Sequence, residues 1–145
     1  MKYNSETGDL IDDEGKVLTY VCSTFGYKMY NPKGTVNRSP KRAHRIIWEM
    51  LRGSIPKGMQ IDHINGNKQD NRIENLRLAT NRENSCNREI EDMTNIDKRG
   101  DSYRVKLSVY GKTVSIGTFD NLELAQLVRD EARSTYYGEF SGRKV

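Results

Sequence analysis

At 145 residues the chain holds one compact domain or two very small ones, and two pieces would each be marginal without a metal, nucleic acid or mutual packing. Hydrophobic residues at 34% and charged residues at 30% give a polar but globular composition, with no stretch resembling a membrane span or an export signal. The net charge of +4 sits in the middle: residues 41–90 carry ten Lys and Arg against six Asp and Glu, while 1–40 and 91–145 balance at five against five and nine against nine.

That distribution suits an anionic polymer better than a small acidic ligand. A second basic cluster, Lys98, Arg99, Arg104, Lys106 and Lys112, lies in the otherwise balanced last third. Cys22 and Cys86 are far apart, and His44 and His63 are the two histidines, so neither a structural zinc site nor a disulfide framework is expected. A protein of a reducing, cytoplasmic compartment follows, with no membrane association.

Short strands broken by turns are expected at Asp9 to Ile11, Val17 to Val21 and Lys28 to Tyr30, with Asp13-Glu14-Gly15 and Pro32-Lys33-Gly34 as the turns. A helix from Ala43 to Arg52 places Ile46, Ile47, Met50 and Leu51 at helical spacing, and Gly53 ends it. Met59 to His63 reads as a strand, Asn65 to Asn71 as a polar loop, and Leu76 to Ala79 as a second strand. Thr80 and Glu83 form a capping box that starts a helix carrying Asn84, with Asn87 three residues later on the same face. The order in this middle unit is strand, loop, strand, helix.

Residues 91–97 have no clear period and read as a linker. Beyond them Val105, Leu107 and Val109 alternate with polar residues, and Val114 and Ile116 continue the pattern after Tyr110-Gly111-Lys112. This is a hairpin with one apolar face and one basic face made of Arg104, Lys106, Ser108, Lys112, Thr113 and Ser115. A helix from Leu122 to Tyr137, capped by Asp120 or Asn121, would cover the sheet with Leu124, Leu127, Val128, Ala132 and Tyr136.

Asp62 beside His63, with asparagines following in order, is a metal-and-base arrangement for phosphodiester cleavage. Histidine titrates near neutrality and can take a proton from water. Asp62 and Asn84 offer hard oxygen donors, favouring Mg2+, or Mn2+, over Zn2+. Asn65, Asn67 and Asn71 read as turn residues. Arg72, Arg77 and Arg82 flank the site as phosphate contacts or as solvated side chains, and Trp48 belongs to the core.

The segment His44-Arg45-Ile46-Ile47-Trp48, Ile61-Asp62-His63-Ile64-Asn65-Gly66-Asn67, Asp70-Asn71-Arg72-Ile73-Glu74-Asn75-Leu76-Arg77 and Asn84 resembles the HNH endonucleases, in particular the homing-type members of phages and mobile elements. The resemblance covers roughly residues 40–90. It implies a ββα-metal fold in which His63 is the general base, Asp62 a metal ligand, and Asn75 a brace for the loop that orients His63. Many members carry a histidine where this chain has Asn84, which leaves Asn87 as an alternative ligand; His44 would pack or hydrogen-bond beside the site.

Residues 95–141, through Tyr103-Arg104-Val105-Lys106-Leu107, Gly111-Lys112, Ile116-Gly117-Thr118-Phe119-Asp120 and Glu123-Leu124-Ala125, resemble an AP2-type DNA-binding domain. That implies a three-stranded antiparallel sheet backed by a helix, with the sheet in the DNA major groove. The expectation is an α+β protein: an HNH nuclease domain over 1–90 with its ββα-metal core at about 59–90, then an AP2-like domain over 98–145. It would act as a monomer or weak dimer that nicks double-stranded DNA, in the host cytoplasm if phage-encoded. The alternative is a non-catalytic DNA-binding regulator; RNA binding is disfavoured by the absence of clustered aromatic residues for base stacking.

Overall fold

The computed structural model describes residues 1–32 and 39–144. The expected turn at Pro32-Lys33-Gly34 therefore falls at Lys33 and Gly34 outside the described residues. The chain divides into two compact units, Met1–Asn81 and Arg82–Val145.

The first unit opens with an antiparallel hairpin of β1 (Lys2–Asn4) and β2 (Asp9–Ile11). β1 has no apolar alternation to announce it. Its turn closes because the Asn4 side chain accepts the Glu6 and Thr7 N–H groups while the Asn4 carbonyl accepts that of Gly8. Asp12 then accepts the Glu14 and Lys16 N–H groups and reverses the chain. The expected strand at Val17 to Val21 shortens to a bridge between Ile11 and Val17 followed by β3 (Thr19–Val21).

β3, β4 (Lys28–Tyr30) and β5 (Lys41–Arg42) form a three-stranded antiparallel sheet with β4 in the centre. β5 runs straight into α1 (Ala43–Arg52), which ends at Gly53, whose φ of 89° few other residues would adopt. Ala43, His44 and Ile47 are buried, whereas the expected core residues Met50 and Leu51 are exposed. The helix outruns the small sheets that cover its first turns.

β6 (Met59–His63) and β7 (Leu76–Thr80) pair antiparallel, joined by a polar loop and a short 3-10 turn at Ile73–Asn75. α2 (Asn81–Cys86) follows β7 directly, so the strand, loop, strand, helix order is present. Asn87 lies one residue past α2, its N–H still bonded to the Glu83 carbonyl. None of the three small sheets could bury a core alone. They share one made of Leu10, Ala43, Ile47, Ile61 and Leu76, with Tyr3, Leu18, Trp48 and Leu78 packed around it.

The second unit contains β8 (Glu89–Ile90), β9 (Ile96–Arg99), β10 (Ser102–Val109), β11 (Lys112–Phe119), α3 (Leu122–Tyr137) and β12 (Arg143–Lys144). β9, β10 and β11 form an antiparallel sheet in the order β11-β10-β9, and β12 runs parallel to β8. The stretch expected as a linker is tied down instead. Ile96 is buried in the core with Val105 and Ala125, and the Arg129 guanidinium donates to the carbonyls of Glu91, Asp92 and Thr94. Backbone carbonyls held by an arginine leave no hydrophobic period to read.

The β10–β11 turn is the two-residue type with φ positive at both Tyr110 and Gly111, which matches strand twist. α3 has the expected bounds, and the Asn121 side chain caps it by accepting the Leu124 N–H. Its phase differs, however. The buried face is Ala125, Arg129, Ala132 and Arg133, while Leu124, Leu127 and Tyr136 are exposed. Both arginines are buried because backbone and side-chain acceptors meet their guanidinium donors: Arg133 bonds the carbonyls of Ser141 and Cys86 and the side chain of Asn95.

Candidate functional site

His63 closes β6 and is buried. Its Nε2 lies 2.9 Å from Asn71 Oδ1, and Asn71 is fully buried. With Nε2–H donating to that oxygen, the tautomer assigned by this geometry carries the ring's lone pair on Nδ1. The His44 ring stands edge-on at 5.0 Å, and Tyr27 lies 5.3 Å from His44 and 6.0 Å from His63. Burial pushes the His63 pKa below that of an ordinary histidine, opposed by the Asn71 bond and by the charges of Asp62 and Asp70. Burial thus favours the neutral imidazole, the state a general base needs. His44 is pushed down to about 3, first by burial and then by the nearby charges of His63, Arg42 and Arg45.

The loop after His63 is pinned by Asn75. The Asn75 Oδ1 accepts the Asn65 N–H at 3.0 Å, and its Nδ2 donates to Asn65 Oδ1 and to the Asp70 carbonyl, both at 2.9 Å. Asn65 Oδ1 also accepts the Asn67 N–H, and Asn67 Oδ1 that of Gln69. The repeated asparagines therefore build a loop whose backbone groups are met by side chains. From the N-terminal hairpin Tyr3 accepts the Ile73 N–H at 2.8 Å, and Gly8 lies so close that an added Cβ would fall 2.5 Å from the Arg72 nitrogen.

Asp62 and His63 alternate across the strand and engage different partners. Asp62 sits opposite Arg77 in register, and Arg77 Nε donates to Asp62 Oδ2 at 2.9 Å, both side chains largely buried. Arg72 forks onto Asp70 with two 2.8 Å bonds, holding that carboxyl down to about 2. Two of the three flanking arginines expected to contact phosphate thus hold carboxylates of the site itself. The third, Arg82, belongs to the second unit and stacks 3.7 Å from the Tyr110 ring centroid.

Residues 41–86 match the family model described as HNH endonuclease, a span that holds His44, Asp62, His63, Asn71, Asn75 and Asn84. Protein 3.8 of Escherichia phage T7 is 32% identical over 72% of this chain and 90% of its own length. The chain belongs to the HNH endonuclease family. An uncharacterized HNH endonuclease of Acanthamoeba polyphaga mimivirus is 31% identical over 68% of this chain, and the SPbeta prophage-derived protein YosQ of Bacillus subtilis, named for HNH homing endonucleases, is 37% identical over 56%. The chain spans about half the length of these last two, 54% and 48%. No solved structure matches it significantly.

HNH nucleases generally use a divalent metal. Among the described residues of this HNH chain no group of three or more His, Cys, Asp or Glu side chains could hold a metal ion. What the first unit offers is the carboxylate of Asp62, already paired with Arg77. So sparse an oxygen set fits a hard cation that keeps most of its waters and takes one or two carboxylates plus substrate phosphate. Asn84 lies half-buried on α2, and Asn87 is buried just beyond it, both in the second unit.

On the sheet of this HNH protein, Arg104 faces Thr118, Lys106 faces Ser115 and Ser108 faces Thr113. Lys112 instead registers with Val109, on the side of Val105 and Leu107, so it leaves the expected polar face. Adjacent strand residues cannot share a face, and Thr113 holds the polar one. A bulge between Val105 and Lys106 brings Thr118 to that face in exchange. Lys106 also ion-pairs with Asp97 of β9. Asn71 and Tyr27 have no sequence signal that separates them from neighbouring turn residues. Only the fold brings them to His63.

Proposed function

We propose that this chain is a divalent-metal-dependent endonuclease that nicks double-stranded DNA, with His63 as general base. One observation carries the reading most: a buried histidine oriented by Asn71 within the segment that matches the HNH endonucleases. His63 takes a proton from water as the water oxygen bonds to phosphorus. The bond from phosphorus to the 3′-oxygen breaks, and the departing oxygen takes a proton from solvent, giving 5′-phosphate and 3′-hydroxyl ends. Asn71 holds the imidazole in its tautomer, and Asn75 holds the loop that carries Asn71. Asp62 is the proposed oxygen ligand of the first unit, with Mg2+ first and Mn2+ next. The chemistry supplied by such an ion is stabilisation of charge at the phosphate and at the departing oxygen.

For the second unit we propose a DNA-reading role of the AP2 kind, through Arg104, Lys106, Ser108, Thr113 and Ser115 of its sheet. Its antiparallel order and its backing helix agree with that resemblance. One histidine site cuts one strand, so a monomer nicks and a homing-type double-strand break needs two copies or two events.

The test is conversion of supercoiled plasmid to open circles by the full chain in Mg2+ or Mn2+. His63→Ala should lower the rate by about 10²–10⁴. A wild-type protein that cuts no substrate with any divalent ion rejects the nuclease reading, and salt-sensitive DNA binding without cutting would favour a regulator.

A further inference from the structure

Three chain segments meet at Tyr27: the β3–β4 turn that carries it, the β5–α1 junction that carries Arg42, and the loop after β6 that carries Lys68. The Arg42 guanidinium carbon lies 4.7 Å from the Tyr27 ring centroid, and Lys68 Nζ lies 5.0 Å from it. Lys68 Nζ also donates to the Phe25 carbonyl at 3.3 Å. Both cations are exposed, and neither has a carboxylate partner among the described residues. The nearby acid Asp70 is already forked by Arg72. The same tyrosine ring stands 6.0 Å from the His63 ring.

We propose that Arg42 and Lys68, seated on Tyr27, are a grip for the DNA phosphate backbone beside His63. Two like charges gathered on one aromatic ring, with no acid between them, form a site that an anion completes. A guanidinium offers two-pronged bonding to phosphate oxygens, and the ammonium adds a point charge from a separate loop. The arginines closest to Asp62 and to the loop, Arg77 and Arg72, are occupied by carboxylates. These cations are therefore better placed to hold the backbone while His63 works. The grip is a positioning element; it rests on the nuclease reading for its purpose, though not for its ability to bind DNA.

The experiment measures binding of the full chain to a labelled duplex by fluorescence anisotropy, with EDTA present and salt varied. Compared with wild type are Arg42→Gln, Lys68→Gln, their double, the charge-keeping pair Arg42→Lys with Lys68→Arg, and Tyr27→Leu against Tyr27→Phe. Thermal unfolding confirms that each variant is folded. Each neutral substitution should reduce the slope of log K against log salt by about 0.9, and the double by about twice that. The charge-keeping pair and Tyr27→Phe should retain the slope, while Tyr27→Leu should lower it without removing a charge. In plasmid nicking, KM should rise several-fold with kcat little changed. An unchanged slope in the double variant, or no DNA binding by wild type, overturns the grip. A slope that falls as expected in a protein that never cuts leaves the grip standing and rejects the nuclease; cutting with unchanged slopes does the reverse.

Discussion

Lowering the pH from 7 to 5 should cost the first unit about 2 kcal/mol of stability through His44 alone. The His44 ring is 3% exposed, and its Nδ1 has no hydrogen-bond partner among the described residues. Burial, with His63, Arg42 and Arg45 adding to it, pushes its pKa from 6.5 to about 3. Folded His44 stays neutral across this range, whereas unfolded His44 gains a proton below 6.5. The unfolded state therefore binds more protons, and stability is complete above 6.5 and drains away as pH falls towards 3. At pH 5 the deficit is one and a half pH units, worth about 2 kcal/mol. The assay is urea unfolding followed by fluorescence of Trp48, the single tryptophan, which packs on the first core. The readout is the change in unfolding free energy between the two pH values, for wild type and for His44→Gln. His63 is depressed by burial in both proteins and also adds to the His44 shift, so the difference reads His44 together with its coupling to His63. An equal pH loss in wild type and variant refutes the account.

Asn75→Ala removes three hydrogen bonds from the loop after His63. It should lower stability by about 2–3 kcal/mol, read in the same urea assay, and speed amide exchange at Asn65. Gly8→Ala should cost more than 1 kcal/mol, seen as a drop in melting temperature, because φ of +72° and a 2.5 Å approach to Arg72 both exclude a Cβ. Arg133→Met strips donors from the carbonyls of Ser141 and Cys86 and from Asn95. A loss of about 2–3 kcal/mol in the second unit is expected, followed by far-UV circular dichroism, while Trp48 fluorescence is little affected.

Elements with a strong period and clear punctuation are legible in the sequence. α1 stops at Gly53, β6 and α3 begin and end where the pattern places them, and the hairpin turns at Tyr110-Gly111. The short strands β1, β5, β8 and β12 span two or three residues, too few for a period of two to show. The phase of α3 was hidden because a hydrophobicity pattern counts Arg129 and Arg133 as solvent-facing, yet their guanidiniums find acceptors inside. At the site, motif order picked out Asp62, His63 and Asn75. It could not separate Asn71, which bonds the imidazole, from Asn65 and Asn67, which bond the loop. That distinction depends on where the chain folds back, which composition does not encode. Lys112 leaves the expected polar face because register, set by the turn and the bulge, decides a strand's faces.

The N-terminal hairpin has a practical consequence for anyone moving this motif between proteins. Leu10, buried in the core, Tyr3, bonded to the Ile73 N–H, and Tyr27, beside both histidines, all precede the matched span of residues 41–86. A graft cut to that span would carry every motif residue and leave behind the framework that aligns them. A transplantable unit must therefore begin at the hairpin, because the preceding segment supplies contacts that hold the matched residues in place.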